Sequence, residues 1–184
     1  AFYYQSVARK ENTFENWMNA GNHFNDAYKN ATDTTVQPAF VENAIDAYKN
    51  AVKLKPDNLD AKTGLGIAYV NQTSLGITDP NGGSPMQGIM LLLDVVKHDP
   101  NNRNANLNLG LFAMKSGQFE KAVARFKNMI AQKDEVEPNF YLAESYKQLG
   151  MKKEAIAAYQ KCKNMVAEPV VRQKIDQYIK ELQN

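Results

Sequence analysis

The chain has 184 residues, 43% of them apolar, with 22 Lys+Arg against 20 Asp+Glu and a formal net charge of +2. That size suits one domain or a short solenoid, and it buries enough surface, about 70% of the unfolded chain's, to need no metal or disulfide staple. The balanced charge excludes strong steering of nucleic acid or an anionic membrane; the single cysteine, Cys162, excludes an internal disulfide; and the longest apolar run, Ile89–Leu93, falls far short of a membrane helix.

Helical periodicity with recurrent punctuation runs through the chain. Residues 1–12 open with Phe2–Val7, which reads as the second helix of a hairpin whose first helix is missing. Residues 14–58 pair Trp17, Gly21 and Phe24 with Ala44, Tyr48 and Ala51, spacings that share one helix face. An insertion around Ala31–Pro38 separates them. Tyr28, Phe40 and Val41 continue the apolar pattern into it, so both helices are expected to be long. Residues 59–102 pair Gly66 and Tyr69 with Gly88, Leu92 and Val95 across an insertion from Asn71 to Pro85, whose Asp79–Pro85 stretch has turn chemistry. Residues 103–135 pair Gly110 and Ala113 with Ala122, Phe126 and Met129, and residues 136–168 pair Ala143 and Tyr146 with Ala155, Tyr159 and Cys162. Residues 169–184 read as a solvating cap helix, with Val170, Val171, Ile175, Tyr178, Ile179 and Leu182 in one stripe. Gly117 and Gly150 stand where a left-handed cap ends a helix. Pro56 and Pro100, each followed by Asp and Asn, stop one helix and cap the next.

Each unit is therefore a helical hairpin in which a small residue lets two backbones approach and an aromatic ring fills the space around the contact. Glycine in a helix costs about 1 kcal/mol against alanine, so its recurrence implies that close packing offsets the cost. Trp17 to Lys62 spans 45 residues, Lys62 to Asn106 44, and Asn106 to Asn139 33.

These motifs resemble the 34-residue tetratricopeptide repeat, with Asn108-Leu109-Gly110, Gly117, Phe119, Ala122 and Phe126 as the best match. The resemblance implies an all-α, right-handed α-α superhelix of about four helix pairs, with a leading half repeat and a C-terminal cap. It implies a non-catalytic scaffold that binds a protein or peptide segment with apolar side chains in a concave groove. The groove positions carried over from the family are Met18, Asn22 and Asn25; Thr63, Ile67 and Asn71; Asn104, Leu107, Leu111 and Met114; and Phe140, Glu144 and Lys147. Leu107, Leu111, Met114 and Phe140 would make an apolar patch among asparagines able to bond a peptide backbone. The opposing readings are that the cap helix or a second copy covers this patch, or that the chain is a self-associating structural module. The family's clamp for acidic C-termini is not expected, because Met18, Asn22, Gly64, Asn104 and Asn108 supply no basic arms.

A closer resemblance runs from Pro85–Ile89 through Asp99–Asn102 to the repeat domain of bacterial cytochrome c assembly factors. It implies a periplasmic or membrane-anchored protein rather than a cytoplasmic one. On that reading the chain, which begins at Ala1 in mid-pattern, follows a missing N-terminal anchor.

No catalytic, metal or cofactor constellation is legible. His23 and His98 lack partners at metal spacing. Cys162 sits at a small packing position and reads as a buried thiol. Gly64-x-Gly66 follows no strand, and Gly82-Gly83 lacks the Lys-Ser/Thr of a phosphate loop. Asn30-Ala31-Thr32 and Asn71-Gln72-Thr73 match the glycosylation pattern as a chain this rich in asparagine does by chance.

Overall fold

A computed structural model describes residues 1–77 and 85–183. The described residues form ten α-helices and one 3-10 turn, in two compact units, Ala1–Pro100 and Asn101–Asn184.

The first unit contains α1 (Phe2–Lys10), α2 (Phe14–Asn30), the 3-10 turn Thr34–Val36, α3 (Gln37–Leu54), α4 (Leu59–Ser74) and α5 (Pro85–His98). Side-chain caps set several starts. Thr13 accepts from the Asn16 N–H at 3.2 Å and Asn58 from the Ala61 N–H at 2.9 Å, satisfying backbone donors that the first turn leaves unpaired. The insertion in the first hairpin is absorbed as extra helix: α2 and α3 have 17 and 18 residues. In the second hairpin α4 runs on to Ser74, so the first residues of the Asn71–Pro85 insertion are helical. The loop expected over Asp79–Pro85 lies outside the described residues except for Pro85, which begins α5.

The packing centre of this unit is the Tyr48 ring. Gly21 on α2 and Gly64 on α4 both abut it, and a Cβ on Gly21 would come within 2.7 Å of the ring; one on Gly64 would come closer still. Tyr48 is 2% exposed, and its hydroxyl donates to Asn22 Oδ1 at 2.9 Å. Burial, with Asp26 adding to it, pushes the phenol far above its ordinary range. Phe24, Val41, Ile45, Leu65, Ala68 and Tyr69 complete the core. On the other side of α4, Gly66 approaches Leu92 and the Gly88 carbonyl of α5. Helix α1 packs on α2 and reaches α3 through Gln5 Nε2, which donates to Asn43 Oδ1 at 2.7 Å.

The second unit contains α6 (Arg103–Lys115), α7 (Phe119–Gln132), α8 (Val136–Gln148), α9 (Lys152–Met165) and α10 (Pro169–Gln183). Asn102 caps α6 through the Ala105 N–H at 3.0 Å. Gly117 and Gly150 adopt φ of 74° and 71°, the left-handed conformation that ends α6 and α8. Phe126 closes over Gly110, and Tyr159 is sealed among α8, α9 and α10, its ring 6.0 Å from Phe140 and 5.5 Å from Tyr178. On α10, Ile175, Ile179 and Leu182 are buried and Tyr178 half-buried, whereas Val170 and Val171 are exposed. The apolar stripe read over the whole cap helix thus contacts the core only from Ile175 onward. No helix among the described residues is long and apolar enough to cross a membrane.

Candidate functional site

In each unit the family's groove positions lie on the first helices of the hairpins, and burial sorts them. In the first unit Asn22 is exposed and Met18 and Asn71 half-buried, but Asn25, Thr63 and Ile67 are buried. The Thr63 hydroxyl donates to the Leu59 carbonyl at 2.7 Å, and Asn25 Oδ1 accepts from Asn71 Nδ2 at 3.4 Å. These three expected contact residues present no free side chain to a guest. For Thr63 and Ile67 the reason is local: glycines at two places on α4 draw it against Tyr48 on one side and α5 on the other, so the helix is enclosed on both.

The second unit presents more surface. Asn104 is exposed, while Leu107, Leu111 and Met114 on α6 and Phe140 on α8 are half-buried and pack against one core. On α8, the Tyr159 hydroxyl donates to Glu144, and the Lys147 ammonium stands 5.7 Å from the Tyr178 ring centre. Desolvation, reinforced by the Glu144 carboxylate, pushes the Tyr159 phenol far up. The C-terminal half of α8 thus lies against the chain's own α9 and α10. The N-terminal halves of α8 and α10 border a cleft of about 360 Å³ lined by Val136, Phe140, Tyr141, Val171, Ile175 and Tyr178, together with Glu137 and Lys174. The sequence presents Val171, Ile175 and Tyr178 only as cap residues. Their role as a wall depends on α10 lying beside α8, which periodicity does not encode.

The cleft contains no nucleophile paired with a base. His23 stacks beneath Tyr4 with ring centres 3.9 Å apart, and His98 Nδ1 lies 2.9 Å from the Asp94 carbonyl at a helix end. No three His, Cys, Asp or Glu among the described residues gather into a metal-holding group. Cys162 is fully buried, and burial pushes its thiol up to about 11. Native protein at pH 8 should accordingly react with an aromatic disulfide reagent at least about tenfold more slowly than denatured protein, since a thiol must ionise to attack. Equal rates would show that the α9 interior is accessible.

Models of two segments match known repeats: a TPR repeat model covers residues 41–72 and a tetratricopeptide repeat model residues 139–165. Both matched segments are tetratricopeptide-type repeats. Repeats of this kind form protein–protein interaction scaffolds. Solved tetratricopeptide-type structures share the fold. A thermophilic TPR protein of Thermus thermophilus, TTC0263, is 23% identical, over 97% of this chain and 96% of that one, with a TM-score of 0.63. MamA from Desulfovibrio magneticus is 15% identical, over 89% and 83% of the two chains, with a TM-score of 0.65. Another MamA crystal structure is 20% identical, over 86% and 82%, with a TM-score of 0.64. At these identities the likeness is one of fold. No curated protein matches the chain.

Proposed function

We propose that this tetratricopeptide-repeat chain is a non-catalytic scaffold that holds a partner segment carrying apolar side chains against the first-helix face of its second unit. The observation that carries the reading is the apolar cleft beside Phe140, open between α8 and α10. Its walls are aromatic and aliphatic, and its lining includes one acid and one base, the pattern of a site that buries an anchor side chain beside a few polar groups. Leu107, Leu111 and Met114 on α6 extend the same face. The cytochrome c assembly resemblance gains no support from the matched models or the solved structures above, and the proposal stands without it.

The test starts from a peptide selected on the intact chain for binding. Val171 is 43% exposed and lines the cleft, so Val171→Asp should weaken that peptide at least about tenfold while the melting temperature holds, because a buried unpaired charge costs more than one decade of affinity. Val170 is 78% exposed and outside the cleft, so Val170→Asp serves as the matched control. Equal affinity of the two variants would remove the cleft from the proposal.

A second reading, self-association, rests on a different observation. Phe2 and Tyr3 on α1 are 54% and 74% exposed, although Phe2 stacks edge-on against Phe24 at 5.1 Å. Exposed aromatics so placed favour a partner copy. Light scattering over a hundredfold dilution should then show a mass that falls with concentration, and Tyr3→Ser should shift that fall to higher concentration. A constant monomer mass rejects the reading.

A further inference from the structure

The second unit repeats itself at a constant offset. Helix α6, Arg103–Lys115, corresponds to α8, Val136–Gln148, and α7, Phe119–Gln132, to α9, Lys152–Met165, each shifted by 33 residues. In this register Asn106 matches Asn139. Both are buried, at 0% and 1% exposure, and both donate their amide to the carbonyl four residues back, at 2.9 Å to Asn102 and 2.7 Å to Glu135. Their oxygens differ. Asn106 Oδ1 accepts from Arg125 Nη1 at 3.0 Å, whereas Asn139 Oδ1 has no donor among the described residues.

The cause is one substitution between the repeats. The place of Arg125 on α7 is held on α9 by Ala158. Where the arginine would lie there is a cleft of about 430 Å³, walled by Ile130, Leu142, Tyr146, Ala157 and Ala158, with Asn139 also in its lining. That oxygen is not sealed off from solvent, so a donor entering through the cleft can reach it.

We propose that this cleft, between α7 and α9, is a docking site for an arginine side chain of a partner protein. The chain supplies its own template, because Arg125 on Asn106 is the same contact made in cis. An arginine's methylene stem suits the alanine and isoleucine walls, and its planar head presents several N–H donors to one carbonyl oxygen. The local charge permits it. Asp134 accepts from the other end of the Asn139 amide at 2.7 Å and holds Lys161 at 2.8 Å. Lys127 lies over the Tyr146 ring, and Glu154 lies across the same cleft, so two cations face two anions. A lysine would bring a strongly hydrated point charge with less reach across the oxygen, and an aliphatic side chain would leave the oxygen unpaired. This site shares no residue with the α8–α10 cleft, so each can fail separately.

The test uses the intact chain, isotopically labelled, and follows the Asn139 side-chain amide during titration with N-acetyl-arginine methylamide and its lysine and norleucine counterparts. The arginine probe should give a saturable shift in the millimolar range, the lysine probe one at least about threefold weaker, and norleucine none. Ala158→Arg should fill the cleft as in the preceding repeat. It should abolish the response and raise the melting temperature by about 2–4 °C. A lysine response equal to that of arginine, no saturation by arginine, or an undiminished response in Ala158→Arg overturns the proposal. Should Ala158→Arg fold poorly, the wild-type comparison of arginine with lysine and norleucine decides alone.

Discussion

Gly64→Ala should destabilise the protein when Tyr48 is present and stabilise it when Tyr48 has been removed. In wild type the new methyl would drive into the Tyr48 ring, and overpacking of this kind costs about 1–3 kcal/mol. Alanine's better helix propensity returns only up to about 1 kcal/mol of that. Tyr48→Ala on its own should cost about 3–5 kcal/mol, because the ring is fully enclosed and touches helices on both sides. In that background the methyl of Gly64→Ala enters vacated space, the steric cost vanishes, and the propensity gain of up to about 1 kcal/mol remains. Urea denaturation of the four proteins gives the coupling directly. Tyr48→Phe keeps the ring and leaves Asn22 exposed to water, so it should cost only about 0.5–1.5 kcal/mol. A Gly64→Ala effect of the same sign in both backgrounds would mean that the glycine answers to something other than this ring.

That sign reversal tests what the sequence displays most plainly. Gly21 and Gly110 recur at helical spacing with Tyr48 and Phe126, and the ring-over-glycine contact they imply is observed; Gly64, which the repeat pattern does not single out, meets the same Tyr48 ring. The positive-φ turns at Gly117 and Gly150 and the caps at Asn58 and Asn102 were equally legible, because each depends on a local property of one residue type. The binding face was less so. Transferring groove positions from a family assumes that every first helix keeps one side in solvent, and α4 does not, since Gly64 and Gly66 commit two of its sides to neighbours. Thr63 and Ile67 were lost from the face for that reason. The cleft beside Phe140 was hidden for another reason: it needs residues of α8 and α10 brought side by side, while the sequence of α10 shows only an amphipathic stripe. The exchange of Arg125 for Ala158, by contrast, stood in the 33-residue register and needed only a position-by-position comparison of the third and fourth hairpins.

Tyr159→Ala should cost the second unit about 3–5 kcal/mol and release α10 first. The Tyr159 ring is fully buried and links three helices: it lies on α9, meets Phe140 of α8 at 6.0 Å and Tyr178 of α10 at 5.5 Å. Helix α10 is the terminal element and owes its burial to few residues, Ile175, Ile179 and Leu182 beside the half-buried Tyr178. Losing the ring should therefore lower amide-exchange protection in α10 more than in α6 or α7. Tyr159→Phe separates the hydroxyl from the ring. It keeps the packing but strips the half-buried Glu144 of a donor, so a cost of about 1–3 kcal/mol is expected, with α10 still protected. The two clefts then respond differently. The one beside Phe140 shares the wall residue Tyr178 with this cluster, so Tyr159→Ala should weaken a peptide held there as α10 loosens. Val171→Asp should weaken the same peptide with exchange unchanged. If exchange in α10 stays at its wild-type rate in Tyr159→Ala, the ring does not hold the cap, and the shape of that cleft must be set by Ile175, Ile179 and Leu182 alone.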